Sequence, residues 1–216
     1  MGKKILFVGG EALPFAATGG LGDVLGSLPR AIREASADGD DVRVVIPLYA
    51  SIPSVYREQM RELTRLTVPL AWRQLYCGVL SLEKDGVTYY FIDNEYYFKR
   101  DMMYGQFDDG ERYAFFCRAV LEMMPHIGFF PDVLHAHDWQ AALSGVYLKQ
   151  IYAKRSEYAG MRAVLTIHNI EYQGQYDMTL LGDLFGLDND CYTLMQYDGC
   201  LNLLKGAIAC ADRVTT

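Results

Sequence analysis

A short apolar run, Ile5-Leu6-Phe7-Val8, is followed within a dozen residues by Ala17-Thr18-Gly19-Gly20-Leu21-Gly22-Asp23-Val24, which opens a helical pattern from Gly22 to Ala35. A glycine-rich loop between a first strand and a first helix restricts the fold more than any other feature of the chain. The glycines let a ligand approach the backbone closely, and a helix N-terminus leaves unpaired N–H donors aimed at it. The spacing is not that of a dinucleotide fingerprint, because Gly26 falls one residue too late after Gly20-x-Gly22. Asp23, in or next to the first turn, suits the helix dipole but would repel a phosphate at the same donors. A neutral, hydroxyl-rich ligand fits better. The loop reads equally as a tight strand–helix turn with Asp23 as a helix-start residue.

Strand-like runs recur along the chain at 4–8, 42–46, 75–82, 87–92, 132–134, 163–167 and 213–216. Helical patterns at 22–35, 110–124, 139–153 and 202–211 lie between several of them. This alternation predicts an α/β fold with a Rossmann-like, doubly wound, mostly parallel sheet. The runs 75–82 and 87–92, joined across Lys84-Asp85-Gly86, predict a β-hairpin with an Asp-Gly turn. The length of 216 residues accommodates one large domain. The chain ends within a strand-like run and without a polar tail, as expected for a piece of a longer protein.

Net charge is −7 and no basic patch stands out, which argues against nucleic acid as a partner. Five cysteines without a C-x-x-C read as reduced thiols, so a cytoplasmic protein is expected. Lys3-Lys4 before an apolar run has the look of a leader, but Glu11 and Pro14 interrupt it. No window reaches transmembrane length, and no membrane partner is expected.

Two further clusters carry candidate chemistry. Asp132-Val133-Leu134-His135-Ala136-His137-Asp138-Trp139-Gln140 runs off a strand into a helix. Its carboxylate Asp138 serves either as a cap of that helix or as a ligand group. His135-x-His137 lacks a third ligand at suitable spacing, so no metal is expected. Leu165-Thr166-Ile167-His168-Asn169-Ile170-Glu171-Tyr172-Gln173-Gly174 repeats the geometry, with His168 at a strand end. In a parallel sheet the strand ends near Gly19, His137 and His168 share one rim, where open α/β sheets bind ligands. His, Asn, Gln and Asp make that rim a hydrogen-bonding surface suited to a sugar. Tyr96, Tyr97, Phe98 and Tyr104 offer faces for stacking on sugar rings, whereas Tyr89 and Phe91 read as core. Glu11, Asp23, Asp138 and Glu171 are the acid/base candidates, with no spacing that fixes a distance between them.

Together these residues resemble the bacterial glycogen synthase and plant starch synthase family. Thr18 to Val24 match its first motif, Lys-Thr-Gly-Gly-Leu-(Gly/Ala)-Asp-Val, after the family's Glu11-x-x-Pro14 spacing; the motif lysine is Ala17 here. His135-Ala136-His137-Asp138-Trp139 and His168-Asn169-Ile170-x-Tyr172-Gln173-Gly174 look like its second and third signatures. Asp109 to Phe116, then Leu204-Lys205-Gly206 with Ala211 to Thr215, add two more. Any one motif is common; five in order over the whole chain are specific.

The resemblance implies a glycosyltransferase-B fold of two Rossmann-like halves. Residues 1–216 would be the N-terminal, acceptor-side half, and the C-terminal nucleotide-binding half would be absent. It implies retaining transfer of glucose from ADP-glucose to the non-reducing end of an α-1,4-glucan such as glycogen or a malto-oligosaccharide, with no metal or cofactor, and this half inactive alone. His168 and Asp138 are then the catalytic candidates. His168 would lie beside the transferred glucose, offering its backbone carbonyl and ring. Thr18, Gly19, Gly20, Asp23, Asn169 and Gln173 would face the donor. Trp139, Tyr97 and Phe98, with Asp138, would face the acceptor. A UDP-sugar enzyme of the same fold, a glucan-binding module without turnover and a flavodoxin-like domain are the competing readings.

Overall fold

The computed structural model describes residues 2–216. Strands are β1 (Lys4–Val8), β2 (Asp41–Pro47), β3 (Arg61–Leu70), β4 (Arg73–Lys84), β5 (Val87–Asp93), β6 (Val133–His137), β7 (Arg162–Thr166), β8 (Gln175–Tyr176), β9 (Gln196–Tyr197), β10 (Cys200–Asn202) and β11 (Arg213–Thr215). Helices are α1 (Gly20–Ala35), α2 (Ser54–Arg57), α3 (Glu95–Phe98), α4 (Asp109–Ile127), α5 (Asp138–Tyr147), α6 (Leu180–Asp183), α7 (Tyr192–Met195) and α8 (Leu203–Cys210).

Eight strands form one sheet in the order β11-β7-β6-β1-β2-β5-β4-β3, and β8-β10-β9 form a small second sheet. From β11 through β5 every pairing is parallel. The expected α/β architecture with a mostly parallel sheet is therefore present. Leu6, Phe7 and Val8 of β1 are wholly buried, as a strand covered on both faces requires. The chain winds from β1 outward through β2 to β5, then returns to β6 on the other side of β1. Strand order thus reverses at the β1/β6 boundary, the place where an open α/β sheet leaves a crevice beyond its strand ends.

The hairpin between β4 and β5 turns at Asp85 and Gly86, both with positive φ (50° and 77°), the geometry that an Asp-Gly pair favours. The hairpin extends to a third antiparallel strand, β3, which the sequence reading did not separate from loop. Its first half is exposed and charged (Arg61, Glu62, Arg65), the usual dress of an edge strand, and only Leu66, Val68 and Leu70 alternate inward. The helix expected over 139–153 is α5 followed by a π-helical turn, Leu148–Tyr152. No helix is long and apolar enough to cross a membrane among the described residues.

Candidate active site

The ends of β1, β6 and β7 lie side by side, with Phe7 opposite His135 and His137 opposite Thr166. The segments that leave them line one cleft of about 1190 Å³. From the first come Glu11, Thr18, Gly19, Gly20 and Leu21; from the second Asp138, Trp139 and Gln140; from the third His168, Asn169 and residues 171–175. Tyr104, Gly105 and Asp109 close one side. The lining contains four carboxylates (Glu11, Asp109, Asp138, Glu171) and no lysine or arginine.

Glu11 shapes the glycine loop. It is 3% exposed, and its carboxylate accepts the Thr18 N–H at 2.6 Å, the Thr18 hydroxyl at 2.7 Å and the Gly19 N–H at 3.3 Å. The Gly22 N–H turns back to the Gly19 carbonyl at 3.1 Å. Among the described residues the amides of Gly20 and Leu21, two residues of the cleft lining at the start of α1, have no protein acceptor. A Cβ at Gly19 or Gly20 would meet nothing within 4 Å, so these glycines keep the loop's cleft side bare.

Asp138 does not cap its own helix. It sits at φ 57°, and its Oδ1 reaches across to the next strand's loop, accepting the His168 N–H at 2.7 Å and the Asn169 N–H at 3.3 Å. Burial pushes its carboxyl pKa up, against the pull of those two amides. Behind it, the His137 Nδ1 and His168 Nε2 are 2.9 Å apart, and the His135 Nε2 lies 2.7 Å from the Thr166 hydroxyl. His135 and His137 thus spend ring nitrogens within the protein. Among the described residues no group of three or more His, Cys, Asp or Glu is arranged to hold a metal. Burial pushes the His135 pKa down to about 4, helped by His168, and holds His137 well below the ordinary histidine range.

Of the donor-side candidates, Thr18, Gly19, Gly20, Asn169 and Gln173 line the cleft. Asp23 does not: it is exposed one turn into α1, outside the lining, and its carboxylate is replaced there by Glu11. Of the acceptor-side candidates Trp139 lines the cleft, its indole edge-on to the Tyr113 ring at 5.1 Å. Tyr97 and Phe98 cannot stack on a sugar. Both are 0% exposed, because α3 turns them into the core against Phe115. The Tyr97 hydroxyl donates to Glu111, and its carbonyl accepts from the buried Arg112 guanidinium at 2.7 Å. Of the rest of that aromatic block, Tyr96 is exposed away from the cleft, and Tyr104 is half-buried with its ring on the cleft wall. Gln140, Tyr172, Gln175 and Gly105 are lining residues that the sequence reading gave no role. Gln140 and Tyr172 stand inside the two histidine clusters, which was the signal available.

The family model of the starch synthase catalytic domain matches residues 4–216. The chain belongs to that family. The glycogen synthase of Geobacillus thermodenitrificans is 46% identical over 215 residues, which is 99% of this chain and 44% of that protein. The glycogen synthase of Streptococcus agalactiae serotype Ia is 48% identical over the same share of both. The chain spans less than half the length of the curated relatives it matches. The catalytic domain of starch synthase IV from Arabidopsis thaliana, solved bound to ADP and acarbose, has the same fold, with a TM-score of 0.88 at 29% identity. The match covers 100% of this chain and 45% of that one.

Proposed function

We propose that this chain is the N-terminal, acceptor-side half of a cytoplasmic glycogen or starch synthase, which transfers glucose from ADP-glucose to the non-reducing end of an α-1,4-glucan with retention. The observation that carries the reading is the make-up of the cleft: hydroxyl, amide, imidazole, carboxylate and aromatic groups converge on it without a lysine or arginine. Such a lining binds neutral sugar hydroxyls and leaves the counter-charge for a diphosphate to a second half of a glycosyltransferase-B fold. Family membership supplies the reaction class.

In this reading the Gly20 and Leu21 amides face the donor's sugar–diphosphate end, and Thr18, Gly19, Asn169 and Gln173 line the donor side. His168 holds the transferred glucose with its ring and backbone carbonyl. Asp138 keeps one oxygen on the His168 loop and directs the other toward the acceptor, beside Trp139. Closure of a second half over the cleft would exclude water and favour transfer over hydrolysis.

The test is glucosyl transfer from labelled ADP-glucose to glycogen, with this chain and its full-length parent side by side and UDP-glucose as competing donor. Transfer by the parent alone is expected. Preference for UDP-glucose would reassign the donor. Glucan binding without turnover by an intact parent would reduce the protein to a binding module. Near-normal kcat in the parent's His168→Ala variant would remove His168 from its role.

A further inference from the structure

His137 is 0% exposed, and its two ring nitrogens are treated differently by the fold. Nδ1 is 2.9 Å from the His168 Nε2, whereas Nε2 is buried with no partner among the described residues. The ring packs on Phe7, with centroids 5.2 Å apart and planes 24° apart, and faces His168 at 5.3 Å and 15°. Burial keeps it neutral, so it carries a single N–H.

The nitrogen–nitrogen contact needs one proton between its two ends. If the His168 Nε2 supplies it, the His137 Nδ1 must be the bare acceptor, and the His137 proton is forced onto the buried, partnerless Nε2. A buried N–H without an acceptor is among the rarest defects in folded proteins. If the His137 Nδ1 supplies the proton, the only unpaired atom is a lone pair on Nε2, and every buried N–H of the pair is satisfied. Which ring nitrogen of a histidine carries its proton is set by the bond the other nitrogen of that ring makes. The His168 Nε2 is then an acceptor, and the neutral ring carries its proton on Nδ1. No protein group bonds that Nδ1 among the described residues, and His168 lines the cleft.

We propose that His137 is a positioning residue: its Nδ1–H fixes His168 as the Nδ1–H tautomer and fixes the plane of its ring, so that His168 presents a hydrogen-bond donor to a sugar hydroxyl in the cleft. This rests on the proposed role of His168 toward the transferred glucose. Asp138 holds the same residue by its backbone N–H at 2.7 Å, so main chain and ring are anchored from two consecutive residues, Asp138 and His137.

The experiment uses the full-length protein labelled with 15N-histidine. Long-range 1H–15N correlations of the imidazoles are recorded at neutral pH without ligand, with His168 assigned by loss of its signals in His168→Gln. An unprotonated Nε2 and a protonated Nδ1 on His168 are expected; an Nε2–H form, or an average of the two, overturns the proposal whatever the enzyme's activity. His137→Phe keeps the ring packed on Phe7 and removes the donor, while His137→Asn returns an amide N–H near the place of Nδ1. The Phe variant is expected to lose about tenfold in kcat with its glucan KM unchanged, and the Asn variant to recover to within about threefold. A Phe variant with the parent's kcat also overturns the proposal. Absence of any transfer by the unmutated parent would instead count against the synthase reading, and the tautomer would still be legible.

Discussion

Asp138 and His168, thirty residues apart, are joined by a 2.7 Å hydrogen bond from the His168 backbone N–H to the Asp138 carboxylate. The side chain that leaves β6 therefore holds in place the loop that leaves β7. Its positive φ suits Asp and Asn better than most residues. Asp138→Asn preserves both the backbone conformation and an acceptor oxygen, so melting temperature should stay close to the parent's. Loss of the charge should still lower transfer by at least about tenfold if the carboxylate acts on the acceptor. Asp138→Ala strips two amides of their acceptor and should cost about 1–3 kcal/mol. Thermal melts and steady-state rates of the full-length variants separate the two effects.

Glu11 plays the corresponding part for the glycine loop. Glu11→Gln can point its oxygen at the Thr18 and Gly19 amides and its NH₂ at the Thr18 hydroxyl, so it can keep these three contacts. Glu11→Ala leaves those donors unpaired beneath the loop, with an expected loss of about 1–3 kcal/mol and faster amide exchange across 18–22. Hydrogen exchange read at those residues checks this; equal protection in the Ala variant would contradict the anchoring role.

The buried histidines make stability depend on pH in one direction. His135 has an ordinary pKa of 6.5 when unfolded and about 4 when folded. Between those values the unfolded chain binds more protons, so stability falls as pH drops through that window and levels off below it. For His135 the loss is on the order of 3 kcal/mol, and His137 acts in the same direction. Thermal melts between pH 7 and pH 4 should show this fall. His135→Gln, whose amide can still meet Thr166, should flatten it.

Gly186 follows α6 at φ 63°, and a Cβ there would lie 2.9 Å from the Ala71 backbone nitrogen. Backbone cannot swing aside as a side-chain tip can. Gly186→Ala should cost about 1–3 kcal/mol through strain and collision together. Gly160 is the control: it meets nothing within 4 Å, and Gly160→Ala should be tolerated. Equal melting temperatures for the two variants would contradict the argument.

The parallel core was legible because strand-like and helical runs alternate along the chain, and Asp85-Gly86 marks its turn in the chain itself. The clustering of Thr18, Asp138 and His168 was legible too, since parallel strands bring their ends to one rim. Tyr97 and Phe98 were misplaced because an aromatic run next to a loop reads the same whether it faces water or core. What buries them is the distant α4, through Phe115 and the Arg112 guanidinium. Asp23 and Glu11 exchange importance for a related reason: helix-start chemistry is local and visible in sequence, whereas the return of the chain that puts Glu11 under Thr18 is not.

Ala17 is where the family's first motif has lysine, and the residue is exposed at the entrance to the glycine loop. With no lysine or arginine lining the cleft, a diphosphate docked at Gly20 would meet no positive side chain of that lining. Ala17→Lys in the full-length protein adds one solvent-exposed charge. At exposed sites such a charge is screened over about 8 Å at physiological salt, so its effect should be modest: roughly a threefold fall in the nucleotide-sugar KM at low salt, shrinking as salt is raised. The glucan KM should not change, because a neutral acceptor does not feel the charge. Donor KM measured at two ionic strengths checks this; an unchanged value at both would place the donor's diphosphate away from the glycine loop.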